Sequence, residues 1–231
     1  MGIMKKVFIL HGWSYSTEKW QPFINLLKQK GAEVNILKIP GLTEDLNHVW
    51  TIEDYVSWLK KTIESNKVIL IGHSNGGRIA LNFAIKYPQN IEKLILMDSA
   101  GIFRNDLAIR AKRMIFKSIT KVGKKLTSSQ RLKNILYKIV GESDYKNATP
   151  IMKQAMVNLI NSDKLLNLDG VAVPTLIIWG REDKTTPLSD GILMNKLIKN
   201  SRLEIIENAR HSPMFTHPNQ VAETITNNLA I

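Results

Sequence analysis

The chain has no cysteine among its 231 residues. That excludes disulfides, thiolate metal centres and a cysteine nucleophile. It also lacks any apolar run near the roughly 18 residues that a bilayer-spanning helix needs, so no integral membrane segment is expected. The N-terminal Met1-Gly2-Ile3-Met4-Lys5-Lys6 leads straight into a strand pattern. A secretory signal would need a longer apolar segment and a small-residue cleavage site. The expectation is therefore a soluble, cytoplasmic protein. Acidic residues are few: 20 Asp and Glu face 32 Lys and Arg, a net charge of +12. The excess is local, because residues 101–168 hold 14 basic and 4 acidic side chains while the rest holds 18 and 16. No recognition module for nucleic acid accompanies this charge, so no nucleic-acid partner is expected.

What is present is alternation. Apolar content is 44%, enough for a sizeable core. Short β-rich runs occur at Val7–Leu10, Val34–Ile39, Val68–Ile71, Leu94–Met97, Thr175–Trp179 and Leu203–Ile206. Helical patterns lie between and after them, at about 19–30, 52–65, 76–87, 188–199 and 214–229. This order predicts an α/β fold, a mostly parallel sheet of about six strands with helices on both faces. Residues 101–168 break the pattern, with no strand signal. Leu107, Ala111, Met114, Ile115, Ile119, Val122 and Leu126 share one helical face, and Arg110, Arg113, Lys117, Lys121 and Lys124 share another. Further helices are expected at 129–140 and 150–161. The reading is a core of residues 1–100 and 169–231, with 101–168 inserted as a basic helical cap between the fourth and fifth strands.

The run Val68-Ile69-Leu70-Ile71-Gly72-His73-Ser74-Asn75-Gly76-Gly77 carries the chemistry. A strand pattern, G-x-S-x-G and a helix pattern follow one another, and such a sharp turn projects a serine hydroxyl above a sheet. Ser74 could merely cap the helix, so the rest of a nucleophilic site has to be found. A serine hydroxyl needs a base, and the base needs an orienting group. His211, in the loop after the sixth strand, is the base candidate. Asp183, after the fifth strand, is the acid candidate, with Asp98 after the fourth as its rival. His11 is expected to brace its loop, His73 to pack beside the turn, and His48 and His217 to serve surface or packing roles. An oxyanion needs backbone donors. The N–H groups of Asn75, at a helix start, and of Trp13, in the His11-Gly12-Trp13 loop, are the candidates.

Together, the H-G-W loop, the G-H-S-N-G-G turn, and the W-G-R-E-D and A-R-H-S-P loops resemble the α/β-hydrolase superfamily. The resemblance covers essentially the whole chain. It implies Ser74 as nucleophile, Asp183 as acid, His211 as base and Trp13 and Asn75 as oxyanion donors, with no metal or cofactor. One departure is that the chain begins at what resembles the family's third strand. The implied activity is that of a carboxylesterase on small or medium acyl esters. Its acyl pocket is expected to involve Trp13, Met114, Ile115 and Ile119, with Phe116, Met152 and Met156 as further lining. Within the superfamily, H-G-W, Trp20 and a basic cap look like the pimeloyl-acyl-carrier-protein methyl ester esterases, whose cap receives an acidic carrier protein. A C–C bond hydrolase or a non-enzymatic ligand sensor on the same fold are the alternatives.

Overall fold

The computed structural model describes residues 5–14, 16–63, 67–103 and 149–229. Its six strands are β1 (Lys5–Leu10), β2 (Ala32–Ile36), β3 (Val68–His73), β4 (Ile91–Met97), β5 (Thr175–Gly180) and β6 (Ser201–Ile206). They form one sheet in the order β2-β1-β3-β4-β5-β6, and every neighbouring pair is parallel. Parallel neighbours require crossovers, and helices supply them. These are α1 (Gln21–Gln29), α2 (Ile52–Thr62), α3 (Asn75–Lys86), α4 (Pro150–Ser162), α5 (Leu188–Leu197), α6 (Pro213–Thr216) and α7 (Pro218–Leu229).

Helices on both faces explain why the inner strands read as continuous apolar runs. Along β3, Ile69 and Ile71 pack with α1 and α7 residues such as Phe23, Leu27, Val221 and Ile225. Val68 and Leu70 point the other way, toward Tyr55, Leu59, Ile79 and Phe83 of α2 and α3. The same alternation sends Ile95 and Met97 of β4 to the first face and Leu94 and Leu96 to the second. Each such side chain, wholly enclosed, contributes about 1.5–3 kcal/mol by leaving water.

The ends of some elements differ from the expected ones. β2 begins at Ala32 and stops at Ile36. Leu37 still donates its N–H to the Ile9 carbonyl, at 2.9 Å, but Ile39 already turns inward and its carbonyl accepts from Leu42 and Thr43. The last helix is broken into α6 and α7, because Pro218 has no N–H to continue the ladder. The helix expected at 150–161 is α4. Those expected at 107–126 and 129–140 lie outside the described residues, as does most of the expected cap. Between β4 and β5, the described chain after Phe103 resumes at Thr149.

The strand order places a topological switch point between β1 and β3. Their connections leave toward opposite sides of the sheet, opening a crevice at the carboxyl ends. The His11-Gly12-Trp13 loop and Ser74 stand on its two sides. No helix among the described residues is long and apolar enough to cross a membrane.

Candidate active site

Ser74 sits between β3 and α3 with φ 52° and ψ −119°. This left-handed backbone is rare for a residue with a Cβ and costs of order 1–3 kcal/mol, offset by its surroundings. Those surroundings are visible. The Ser74 N–H donates to the Met97 carbonyl at 3.2 Å, and its carbonyl accepts from Gly77 and Ala100, both at 3.0 Å. The flanking glycines are steric requirements. A Cβ on Gly76 would lie 2.1 Å from the Leu10 carbonyl oxygen, and one on Gly72 would lie 2.6 Å from the Gly77 Cα. α3 can thus start directly against the end of β1, and the turn is as sharp as the spacing predicts.

The hydroxyl meets His211, 137 residues away, with Nε2 3.0 Å from Ser74 Oγ. The other ring nitrogen, Nδ1, lies 2.8 Å from Asp183 Oδ2. A carboxylate only accepts, so Nδ1 carries the hydrogen and Nε2 is left to accept from Ser74. Asp183 is held by its own loop. Thr185 and Thr186 donate their N–H groups to Oδ1 at 2.7 and 3.1 Å, and the Thr186 hydroxyl donates to Oδ2 at 2.7 Å. Burial pushes the Asp183 carboxyl up, but the hydrogen bond and charge of His211 and the two threonines outweigh it and hold it below the usual carboxylate range.

Asp98, the rival acid, does not take the His211 hydrogen bond. It is fully enclosed, with Oδ1 accepting from the Gly180 N–H at 2.8 Å. His73 packs beside the turn: its ring meets Trp20 edge-on at 5.8 Å, and Nε2 donates to the His211 carbonyl at 2.7 Å. Burial first, then the neighbouring His211, lower the His73 pKa to about 3, so its ring is neutral. His11 is also enclosed, with Nδ1 donating to the Gly12 carbonyl at 2.6 Å and Nε2 3.3 Å from the Thr43 hydroxyl. His48 is exposed and His217 half-buried.

The Gly12 loop presses on the turn, since a Cβ there would lie 3.0 Å from Ser74 Cβ. Trp13 follows, half-buried against the α2–α3 side of the core. Asn75 is the first residue of α3, where the helix dipole favours an anion. Met152 and Met156 are buried on α4. Met114, Ile115, Phe116 and Ile119 lie outside the described residues. Among the described residues, His73, Asp98 and His211 form a group that could hold a metal, with one donor atom of each within 4.8 Å of the others. Two of these three are already engaged with Ser74, Asp183 and the His211 carbonyl.

Two features escaped the sequence. Thr186 looked like an ordinary loop residue; its hydroxyl lies 2.7 Å from Asp183 Oδ2 and 3.2 Å from His211 Nδ1. Arg78, read as a helix residue, is buried and donates from Nε and Nη2 to both carboxylate oxygens of Asp163, at 2.6 and 2.8 Å. Its Nη1 also donates to the Asn75 side-chain carbonyl. A basic residue one turn into the helix that follows a candidate nucleophile is a signal that could have been followed.

Residues 5–131 and 127–218 match the family described as alpha/beta hydrolase fold. Monoacylglycerol lipase ABHD6 of Rattus norvegicus is 26% identical over 261 residues, covering 99% of this chain and 76% of the relative. The pimeloyl-[acyl-carrier protein] methyl ester esterase of Legionella pneumophila is 25% identical over 224 residues, covering 90% and 88%. Among solved structures, a thermophilic esterase of Thermogutta terrifontis superposes with a TM-score of 0.69 at 21% identity, covering 99% of this chain and 90% of that one.

Proposed function

We propose that this chain, which belongs to the alpha/beta hydrolase fold family, is a carboxylesterase that works through a Ser-His-Asp triad. The observation that carries the reading is the continuous hydrogen-bonded path from Ser74 Oγ through both nitrogens of His211 to Asp183. Two relatives named for ester-cleaving activities support it.

In this reading His211 Nε2 takes the proton of Ser74 as Oγ attacks the ester carbonyl. Asp183 keeps the ring in the productive tautomer and stabilises the imidazolium. The N–H groups of Trp13 and Asn75 hold the oxyanion. Collapse of the tetrahedral intermediate expels the alcohol, which leaves with the proton from His211. Water then enters, loses a proton to the same nitrogen and attacks the acyl-enzyme. The acid departs, and Ser74 regains its hydrogen. No step requires a metal or an organic cofactor. The setting is cytoplasmic, and the substrate is an ester of small or medium acyl chain, with Trp13, Met114, Ile115 and Ile119 in the acyl pocket. Turnover of short p-nitrophenyl esters, abolished in Ser74→Ala, is the expected result. A chain that binds such esters without turning them over would instead be a ligand sensor.

A second reading names the substrate's carrier. The relative from Legionella pneumophila is named for an acyl-carrier-protein-bound methyl ester, and residues 101–168 of this chain hold 14 bases against 4 acids. As a cap between β4 and β5, that segment would steer an acidic carrier protein toward Ser74. Reversing the charge of Arg110, Arg113 and Lys117 should then weaken hydrolysis of a carrier-bound ester and spare a small free ester. Equal loss on both would remove the docking role.

A further inference from the structure

The reaction above gives the Asp98 carboxyl no task, yet its setting is built. Asp98 follows β4 with φ 40°, a left-handed backbone for a residue with a Cβ. Its N–H donates to the Ile178 carbonyl at 3.0 Å, and its own carbonyl oxygen lies 3.0 Å from the Thr186 hydroxyl oxygen. The side chain is thereby pinned and turned inward with no solvent exposure. Oδ1 accepts from Gly180, while no N–H or O–H among the described residues donates to Oδ2, and only a protonated Asp98 can hydrogen-bond to the Asp183 side chain. An ionised oxygen left so would be costly. Burial, with the neighbouring Asp183 charge adding to it and the Gly180 N–H opposing, raises the Asp98 pKa to about 8. Three titratable groups face it: His73 at the end of β3, Asp183 after β5 and His211 after β6. A polar atom of Asp98 lies within 4.8 Å of nitrogens of both histidines.

We propose that Asp98 is a second orienting acid for His211, silent while Asp183 is charged and engaged when Asp183 is neutralised. This rests on the roles assigned to Ser74, His211 and Asp183 above. Two buried carboxylates beside one imidazole oppose each other's ionisation, so one stays protonated. Replacing Asp183 with its amide removes the charge that opposes Asp98. With rising pH the Asp98 proton then passes to water, and the carboxylate left behind favours the imidazolium that forms when Ser74 attacks. Asp98 acts through His211 and touches no reacting atom, so it is a positioning residue.

The test compares pH–rate profiles for p-nitrophenyl acetate, from about pH 6 to about pH 10, in Asp183→Asn and in Asp183→Asn/Asp98→Asn. Asparagine keeps the shape of Asp98 and can still accept from Gly180. The single variant should retain a residual rate that climbs with pH. The double variant should lose that climb and fall at least about tenfold below it on the alkaline side. Superimposable profiles would overturn the proposal. If the double variant does not fold, the single variant decides alone, with its His211 ring protons followed by NMR. A ring titration displaced by a second ionisation supports Asp98, and a one-step titration with a flat alkaline rate overturns it. Failure of the parent reading looks different, since Ser74→Ala would then keep activity or Asp183→Asn would cost none.

Discussion

Arg78, one turn into α3, grips both carboxylate oxygens of Asp163, the residue that caps the end of α4. The two are 85 positions apart and both are buried. The pair joins the helix that begins beside Ser74 to a helix from the segment between β4 and β5. Breaking a buried pair leaves an uncompensated charge and costs about 3–5 kcal/mol, whereas replacing both partners with apolar groups often costs little. Asp163→Ala should therefore lower the melting temperature by about 10 °C for a chain of this size. Arg78→Leu/Asp163→Leu should recover most of that loss. A double variant as unstable as the sum of the singles would mean that the pair is not coupled.

The reach of Arg78 to the Asn75 side chain extends this link to the proposed oxyanion donor. Arg78→Lys keeps the charge but cannot make the fork. We expect kcat to fall several-fold with KM little changed, because an oxyanion contact forms mainly in the transition state. An increase confined to KM would place Arg78 in substrate binding instead.

Ser74→Ala should reduce kcat for p-nitrophenyl acetate by roughly 10⁴-fold or more. A fluorophosphonate probe should label the parent chain once, on Ser74, and leave the variant unlabelled. Labelling that survives the substitution would move the nucleophile elsewhere. Asp183→Asn should cost far more than Asp98→Asn in the parent chain, and the reverse ranking would put the acid at the end of β4.

The Thr186 hydroxyl gives a subtler test. It lies within hydrogen-bonding distance of the Asp183 carboxylate, the Asp98 carbonyl and His211, but it carries a single hydrogen. A hydrogen bond to a charged group contributes about 1.5–3 kcal/mol. Thr186→Val should cut kcat about tenfold, and the acid limb of the rate profile should shift upward as Asp183 loses a partner. Thr186→Ser should restore both. If Thr186→Val leaves kcat and the limb where they were, the hydroxyl is only a loop contact.

These residues also mark where the sequence could be read and where it could not. The strand-turn-helix around Ser74 was legible because steric limits write it into the chain: Gly72 and Gly76 leave no room for a Cβ, and few other sequences make that turn. The inner strands were legible because a sheet covered on both faces needs unbroken apolar runs there. The choice between Asp183 and Asp98 was not, since both follow strands and only the packing of three loops decides which carboxylate lies 2.8 Å from His211. The pairing of Arg78 was hidden for a related reason. Its partner comes from a distant helix whose placement no local pattern encodes. The end of β2 was missed because Ile39 is as apolar as a strand residue but is buried after the chain has left the sheet.

The buried His73 makes a prediction about acid stability with a definite sign. Its folded pKa, about 3, lies well below the ordinary 6.5. Between those values the unfolded chain binds a proton that the folded chain refuses, so stability falls as pH drops below about 6.5. One such group contributes a slope of ~1.4 kcal/mol per pH unit. His11, whose pKa burial also lowers, adds to it in the same direction. Asp98 works oppositely. Its raised pKa contributes stability that is complete below about pH 4 and is lost steadily as pH climbs from there through about 8. Urea unfolding followed from about pH 4 to about pH 6.5 should show the His73 rise opposed by the Asp98 fall, so the difference between the parent chain and a His73 variant isolates the His73 contribution. His73→Asn should flatten that rise by about one proton while lowering stability at neutral pH, because the bond to the His211 carbonyl is weakened. An unchanged slope would mean that His73 takes up its proton without unfolding, which the enclosed ring against Trp20 does not allow.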